Sequence, residues 1–213
     1  MPDPTRRLII FVRAPRLGEV KTRLAAAMGA DEALAAYRVL VQTVLTSLAP
    51  LAPVEVHYTP GNAADEVRSW VPPRWLLRAQ GPGDLGARMD LAFTEALAGG
   101  AERVALIGSD CPAITVQDIE DAWAALTDHD LVLGPATDGG YWLIALKRAQ
   151  PALFQGMPWS TSAVLRETLA RAVHAGLSVG LLRELADVDT EEDWLRFTRG
   201  NHSIPPASNE GFT

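Results

Sequence analysis

Short apolar runs that stop at loops containing glycine or proline, each followed by a helical stretch, recur along the chain. Residues 8–12 are apolar and β-branched and end at such a loop, as a buried parallel strand does. Residues 31–48 are rich in Ala and Leu without Gly or Pro, so they predict a long helix. Arg103–Ile107 is the clearest further strand. This alternation predicts an α/β fold, a three-layer sandwich of Rossmann-like type whose twisted central sheet is mostly parallel.

The rest of the chain continues this pattern. Thr115 with Asp118, and Thr190 with Asp193, are capping-box motifs that each predict the start of a helix. From residue 200 onward the sequence is polar and aperiodic, so residues 1–199 are predicted to form one domain and residues 200–213 a flexible tail. The other predicted strands are residues 54–58, 75–79, 131–134, 141–146 and 178–182, and the other predicted helices are residues 63–71, 85–97 and 162–175.

Charge and cysteine content narrow the classes of partner. The formal net charge is −7, which argues against duplex DNA or an anionic membrane as the main partner. A single cysteine, Cys111, excludes an internal disulfide, and it has no nearby base that would make it a nucleophile. The apolar run at residues 8–12 is far too short for a signal-peptide core or a membrane span, so the expected location is the cytoplasm.

The loop after the first strand is basic. It places Arg13, Arg16, Lys21 and Arg23 near the start of a helix, where backbone N–H groups and the helix dipole favour phosphate. It is not a P-loop, because Gly18 lies three residues before Lys21 instead of directly before it. The alternative is a solvated basic loop without a ligand.

Aspartates mark two further places. Asp110 directly follows the strand Arg103–Ile107, and an acid there suits Mg²⁺, which takes one or two carboxylates plus phosphate oxygens. The alternative is an acid that stabilises the following helix N-terminus. Asp187 and Asp189 are two residues apart and could complete the metal shell, although the capping box at Thr190 also explains local acidity.

A glycine-rich segment, Gly81-Pro-Gly-Asp-Leu-Gly86, matches the G-x-G-x-x-G pattern of dinucleotide-binding folds. It follows the third predicted strand, whereas that fingerprint normally follows the first. A plain strand-to-helix turn is an equal alternative. An NAD(P)-binding protein, or a non-catalytic nucleotide-binding protein, therefore stays open as a class.

Four segments together carry a family resemblance: FVRAPRLGEVKTRL, GSDCP, GPATDGGYWLIAL and DVDTEEDW. Their order, from Leu8 to about Trp194, resembles the nucleotide-diphospho-sugar transferase superfamily of glycosyltransferase-A-like (GT-A) fold. Within it, the chain is most similar to the branch related to molybdenum-cofactor and phospholactate guanylyltransferases. The resemblance implies Asp110 and Asp189, in preference to Asp187, as metal ligands.

The same resemblance implies two sets of ligand-binding residues. The nucleotide would be bound by Arg13, Ala14, Pro15, Gly18, Lys21, Asp84, Gly86 and Arg88. The acceptor would be bound by Asp138, Gly139, Gly140, Tyr141, Trp159, Ser160 and Thr161. The alternatives are a hairpin turn for residues 138–140, because Asp-Gly suits the positive φ of tight turns, and a plain helix start for residues 159–161.

The sequence therefore predicts a transferase dependent on Mg²⁺ or Mn²⁺ that uses a nucleoside triphosphate or a nucleotide sugar. Nucleotidyl transfer to a small phosphorylated acceptor comes first, with Lys21, Arg23 and Asp110 as the catalytic residues. Glycosyl transfer from a nucleotide sugar, with the metal stabilising the departing nucleoside diphosphate, is the alternative. Neither nucleic acid nor a membrane is expected as a partner.

Overall fold

A seven-stranded sheet forms the middle of the molecule in the computed structural model, which describes residues 3–200. The strand order is β3-β2-β1-β4-β6-β5-β7. Strand β6 is antiparallel to both of its neighbours, and every other neighbouring pair is parallel, so the predicted mostly parallel sheet is confirmed. The strands are β1 (Arg6–Arg13), β2 (Val54–Thr59), β3 (Leu76–Ala79), β4 (Arg103–Ile107), β5 (Leu131–Pro135), β6 (Tyr141–Leu146) and β7 (Val179–Leu181).

Helices cover both faces of this sheet. The helices are α1 (Thr22–Met28), α2 (Ala30–Ser47), α3 (Ala64–Arg68), α4 (Leu85–Ala98), α5 (Val116–Ala125), α6 (Val164–His174) and α7 (Glu191–Gly200), with a 3₁₀ turn at Pro151–Leu153. Successive side chains of β1 point to opposite faces, as a pleated strand requires. Leu8 and Ile10 pack in a core with α2 and α5, whereas Ile9 and Phe11 pack in a second core with α4 and α6. The layers are therefore helix, sheet and helix.

The predicted and observed helices differ most in two places. The helix predicted over residues 63–71 spans only Ala64–Arg68; Pro72 explains why it does not continue to Val71, because a proline disfavours helical backbone in the residue before it. Ahead of α2 the structure adds α1, and Gly29 separates the two helices with a φ of +96°. The predicted tail lies outside the described residues except for Gly200, and the single domain over residues 1–199 stays a prediction.

The fold gathers the predicted loops at one edge of the sheet. Parallel strands end at the same edge, so the segments after β1, β3 and β4 lie there, and the loop between β5 and β6 joins them. The segment after β7 returns to this edge, where the Val188 N–H donates to the Asp110 carbonyl at 3.0 Å. Among residues 3–200, no helix is long and apolar enough to cross a membrane.

Candidate active site

Lys21 lies at the centre of this edge and joins three segments that are far apart in sequence. Its backbone is left-handed (φ 48°, ψ 48°), an uncommon conformation for a residue other than glycine, and it immediately precedes α1. Its side chain is 4% exposed, and Nζ lies 2.8 Å from Oδ1 of both Asp110 and Asp189. Nζ also donates to the Val188 carbonyl at 2.7 Å. The fold thus brings together the lysine and the two aspartates that the sequence singled out separately.

The charges of this group are strongly coupled. Burial alone would lower the pKa of Lys21, but the charges of Asp110 and Asp189 and their hydrogen bonds outweigh burial and raise it, so the ammonium is positively charged. Arg23 is mostly exposed, and its Nη1 lies 3.8 Å from Asp189 Oδ2. Arg23 can therefore turn toward a ligand at little cost, whereas Lys21 is fixed.

A third carboxylate, that of Asp187, lies near the same lysine. Burial and, after it, the nearby charges of Asp138, Asp110 and Asp189 raise the pKa of Asp187 to about 7 against the opposing effect of Lys21. Within residues 3–200, Asp187 takes part in no ion pair, because Lys21 pairs with its neighbour Asp189. This edge of the sheet is therefore rich in acid around the buried Lys21 ammonium.

The residues present fit a divalent metal that is completed by its ligand. No group of three or more His, Cys, Asp or Glu side chains within residues 3–200 is arranged to hold a metal alone. Asp110 and Asp189, however, are both partly exposed and already face one cationic atom. Mg²⁺ typically takes one or two carboxylates together with phosphate oxygens and water. The pair thus suits a metal that binds together with a phosphate-bearing ligand.

The backbone of Arg13, at the start of the basic loop, is held by Tyr37 of α2. The Tyr37 hydroxyl accepts a hydrogen bond from the Arg13 N–H at 2.7 Å and donates one to the Arg13 carbonyl at 3.0 Å. Burial raises the pKa of Tyr37 to about 12, so the phenol is neutral and can donate. Sequence reasoning missed Tyr37, because its position in an amphipathic helix is also that of an ordinary core residue.

In the rest of the basic loop, some residues are exposed where a ligand could reach them, and Arg16 is already held in an ion pair. Arg16 forms an ion pair with Glu66, with Nη2 2.7 Å from Oε1, so it is not free for an anion. Ala14 is buried, Pro15 is half-buried and Gly18 is exposed with a φ of +75°. Arg13 is exposed and has no ion pair among the described residues. Their contact with a nucleotide stays a prediction.

The glycine-rich loop follows β3, an edge strand. Asp84 caps α4, because its Oδ1 accepts from the Ala87 N–H at 2.8 Å. Gly86 is buried, and a Cβ there would lie 2.6 Å from the Phe154 carbonyl and 3.0 Å from Trp159 Nε1. Both residues thus have structural roles that the sequence did not separate from nucleotide binding. Arg88 donates from Nη1 to Gln80 Oε1 at 2.9 Å and from Nε to the Asp84 carbonyl at 3.2 Å.

The predicted acceptor residues lie in two segments. The β5–β6 hairpin loop lies across β4 from the glycine-rich loop, and the segment with Trp159 lies between them, since a Cβ on Gly86 would lie 3.0 Å from Trp159 Nε1. Residues 136–140 form the loop of the β5–β6 hairpin, so the alternative of a hairpin turn describes its backbone. Gly139 has a φ of +90°, and a Cβ there would lie 2.4 Å from the Ser162 carbonyl. The Leu165 N–H donates to the Gly139 carbonyl at 2.9 Å, which joins the hairpin loop to the start of α6.

Side chains of this acceptor group have few partners. Tyr141 Oη and Trp159 Nε1 are buried, and neither has a hydrogen-bond partner among residues 3–200. Ser160 has a φ of +64°, and Thr161 Oγ1 donates to the Pro158 carbonyl at 2.8 Å. Cys111 is buried nearby, and burial raises its thiol pKa to about 12, so the thiol is neutral. Acceptor binding by these residues stays a prediction.

Comparisons with known proteins agree with the resemblance. Residues 40–161 match the family described as "Uncharacterized protein conserved in bacteria (DUF2064)". A 3-phospho-D-glycerate guanylyltransferase of Phenylobacterium zucineum (strain HLK1) is 31% identical, with 84% of each chain covered. The crystal structure of a proposed nucleotide-diphospho-sugar transferase from Desulfovibrio desulfuricans G20 is 36% identical, with a TM-score of 0.87 over 95% of this chain and 89% of that one.

A more distant structure shares the fold alone. The molybdopterin-guanine dinucleotide biosynthesis protein A of Archaeoglobus fulgidus is 12% identical, with a TM-score of 0.57 over 93% of this chain and 100% of that one. The chain therefore has the fold of nucleotide-diphospho-sugar transferases, as the order of its motifs implied.

Proposed function

The chain belongs to the DUF2064 family, within the nucleotide-diphospho-sugar transferase superfamily, and from this premise we propose that it is a metal-dependent nucleotidyltransferase. Its proposed donor is GTP, because the 31% identical relative is a guanylyltransferase. Its proposed acceptor is a small phosphorylated molecule. An acceptor oxygen attacks the α-phosphorus, the bond from that phosphorus to the bridging oxygen breaks, and pyrophosphate leaves.

The observation that carries the proposal is the buried Lys21 ammonium between Asp110 and Asp189. Phosphoryl chemistry needs fixed positive charge where negative charge develops, and a cation held in place loses little energy to reorganisation. Lys21 meets this requirement at the carboxyl edge of the sheet, and the mobile Arg23 adds a second positive charge. A Mg²⁺ or Mn²⁺ ion held by Asp110 and Asp189 would supply further charge neutralisation to the phosphates.

The neighbouring elements support a donor site on one side of these residues and an acceptor site on the other. Arg13 and Arg88 lie beyond β1 and β3, on the side that would receive the donor. The hairpin loop at residues 136–140 lies on the opposite side. The segment at residues 159–161 lies between the two sides, because a Cβ on Gly86 would lie 3.0 Å from Trp159 Nε1 and a Cβ on Gly139 would meet the backbone of Ser162. Both segments would receive the acceptor. No covalent enzyme intermediate is required, which agrees with a neutral Cys111 thiol.

Glycosyl transfer from a nucleotide sugar is the second candidate. It is favoured by the 36% identical crystal structure, which is that of a proposed nucleotide-diphospho-sugar transferase. The same residues would then neutralise a departing nucleoside diphosphate, and an acceptor hydroxyl would attack the sugar. The two reactions differ in what leaves: pyrophosphate in the first and a nucleoside diphosphate in the second.

The test is product analysis with Mg²⁺ and each of the four nucleoside triphosphates, with 3-phospho-D-glycerate and related phosphorylated acids as acceptors. Nucleotidyl transfer predicts acceptor-dependent pyrophosphate release and a product heavier than the acceptor by one nucleoside monophosphate. Asp110→Asn should lower the rate at least ~100-fold. Asp128→Asn, an exposed change, is the matched control and should leave the rate unchanged. Release of a nucleoside diphosphate from nucleotide sugars alone would replace this proposal with the second, and no turnover of either donor class would end both.

A further inference from the structure

Gln80, the residue between β3 and the glycine-rich loop, is buried and uses its amide in one orientation only. It is 5% exposed, and its Nε2 donates to the carbonyls of Val12 at 3.0 Å and His57 at 2.9 Å. Carbonyls only accept hydrogen bonds, so Nε2 must face them and Oε1 must point the opposite way. On that side Oε1 accepts from Arg88 Nη1 at 2.9 Å. The ends of β1 and β2 thus fix the direction of an acceptor that holds Arg88.

Arg88 lies where a cation is electrostatically unfavourable. It is the fourth residue of α4, close to the helix N-terminus, which favours anions. Burial lowers the pKa of its guanidinium, and the nearby charge of Arg13 lowers it further. Neither Arg13 nor Arg88 forms an ion pair in the part of the chain that the structure describes. A bound anion would offset all three unfavourable effects.

The hydrogen bonds of Arg88 leave donors for such an anion. A guanidinium carries five N–H donors in a planar fork. Gln80 and the Asp84 carbonyl together engage Nη1 and Nε, and no residue between 3 and 200 engages Nη2. Arginine forks of this kind suit phosphate oxygens.

We propose that Gln80 is a positioning residue that holds the Arg88 guanidinium beside Arg13, so that the two arginines together bind the triphosphate of the donor nucleotide. The proposal rests on the proposed function, because it takes a nucleoside triphosphate as the ligand. Gln80 touches no ligand itself and acts only through Arg88. The alternative is a purely structural role, in which Gln80 only joins the ends of β1 and β2. The test must distinguish this role from the positioning of Arg88.

The test is a double-mutant cycle on GTP binding, measured by calorimetry with Mg²⁺ and no acceptor. Gln80→Met keeps the length of the side chain but removes both its donor and its acceptor, and Arg88→Met removes the guanidinium. Gln80→Met is expected to weaken GTP binding about tenfold, the usual effect of losing a hydrogen bond to a charged group. In protein that already carries Arg88→Met, Gln80→Met should weaken GTP binding by less than about a further twofold, because the arginine through which Gln80 acts is already absent.

Two controls make the outcome specific. Guanosine binding, measured by competition, should be unchanged in Gln80→Met, because the nucleoside lacks the phosphates that the arginines bind. Ile144→Val, in the core strand β6, provides a variant with reduced stability and an unaltered site, and its GTP affinity should equal that of the wild type. Steady-state kinetics should show a raised KM for GTP in Gln80→Met with little change in kcat.

Each result decides one question. Full additivity of the two substitutions, or equal weakening of GTP and guanosine, would overturn the positioning role of Gln80 while leaving nucleotidyl transfer intact. Wild-type protein that binds no nucleoside triphosphate at all would instead overturn the proposed function. If Gln80→Met fails to fold, Arg88→Met is measured alone with GTP and with guanosine. Weaker GTP binding with unchanged guanosine binding is expected, and unchanged GTP binding would overturn the proposal, because Gln80 acts only through Arg88.

Discussion

Lys21 illustrates how one side chain can serve both stability and chemistry. Its ammonium is buried, so its charge is tolerated only because Asp110 and Asp189 face it at 2.8 Å. The same two carboxylates are the pair that suits a divalent cation. In the proposed function, the lysine and the metal would therefore interact with the same two carboxylates, and the stability of the protein without nucleotide should report on both.

Lys21→Met should lower the free energy of unfolding by about 1–2 kcal/mol, because it leaves two neighbouring, partly exposed carboxylates without their cation. Added Mg²⁺ should restore part of that loss, since it can take the place of the ammonium. Thermal unfolding with and without Mg²⁺ measures both effects. Lys147→Met is the control, because Lys147 pairs with Asp130 at 3.3 Å near the surface and should cost less than about 1 kcal/mol. An equal Mg²⁺ effect on wild type and Lys21→Met would show that the metal binds elsewhere.

Among the helices and strands, features set by neighbouring residues were predicted correctly from the sequence. Features set by pairing between distant segments could not be predicted. Strand β4 has the predicted bounds, and both hydrogen bonds of the Thr115–Asp118 capping box are present. These features depend on residues three or four apart. The insertion of antiparallel β6 between β4 and β5 depends on pairing between distant segments, and no periodicity encodes it.

The candidate site divides in the same way. Lys21 and Asp110 could be predicted because charged residues directly follow apolar strands, and parallel strands end at a common edge. Tyr37 and Gln80 could not, because their partners, the backbone of Arg13 and the carbonyl of Val12, are 24 and 68 residues away. A buried polar side chain that binds distant backbone leaves no pattern in its own neighbourhood.

Helix α4 is held against the segment before α6 by a close approach that only glycine permits. In Gly86→Ala the new Cβ would lie 2.6 Å from the Phe154 carbonyl, so the helix or that segment must shift. We expect a loss of about 1–3 kcal/mol in the free energy of unfolding by urea, despite the better helix propensity of alanine. Gly61→Ala is the matched control, because its Cβ would lie 3.9 Å from Ala79 Cβ, an ordinary contact. If both variants are equally stable, the packing of α4 tolerates the methyl group.

Strand β2 carries a buried acid whose charge makes stability depend on pH. Glu55 is 6% exposed and lies 3.0 Å from Arg7 Nη1, 3.0 Å from His57 Nε2 and 3.1 Å from Arg78 Nε. Burial alone would raise its pKa, but the hydrogen bond from His57 and the charges of Arg78 and Arg7 outweigh burial and lower it. The folded state therefore favours the ionised carboxylate more than the unfolded state does.

Because the pKa of Glu55 is lower in the folded than in the unfolded protein, where it is near 4.5, its ionised form stabilises the fold at pH above 4.5. This stabilisation is lost as the pH falls through the pKa of the folded state. Glu55→Gln should therefore cost about 2 kcal/mol at pH 7, and the difference from wild type should shrink as the pH falls below about 4.5. Urea unfolding at a series of pH values measures this difference. Glu102→Gln, an exposed change at a side chain without an ion pair among residues 3–200, is the matched control and should change the free energy of unfolding at pH 7 by less than about 0.5 kcal/mol. A difference that stays constant from pH 7 to pH 3 would exclude the ionised Glu55 as its source.

Across the whole molecule, the strand order lays out the candidate site in a line. Strand β4, which leads to Asp110, is the middle strand of the seven. On one side lie β1 and β3, which lead to Arg13 and Gln80, and on the other lies the β6–β5 hairpin. In the proposed function, donor, metal and acceptor would occupy successive positions along one edge of one sheet. Two substrates would then meet at Asp110 without sharing a subsite.

That layout predicts two separate footprints in hydrogen exchange. GTP with Mg²⁺ should slow exchange of backbone amides in residues 13–24 and 80–88, because a ligand that binds only the folded state suppresses local opening where it binds. Adding an acceptor to that complex should extend protection to residues 136–141, across β4. The complex without Mg²⁺ is the control and should show weaker protection of residues 13–24. Protection of residues 136–141 by GTP alone would mean that the donor occupies the hairpin side, and the assignment of the two halves of the edge would then have to be reversed.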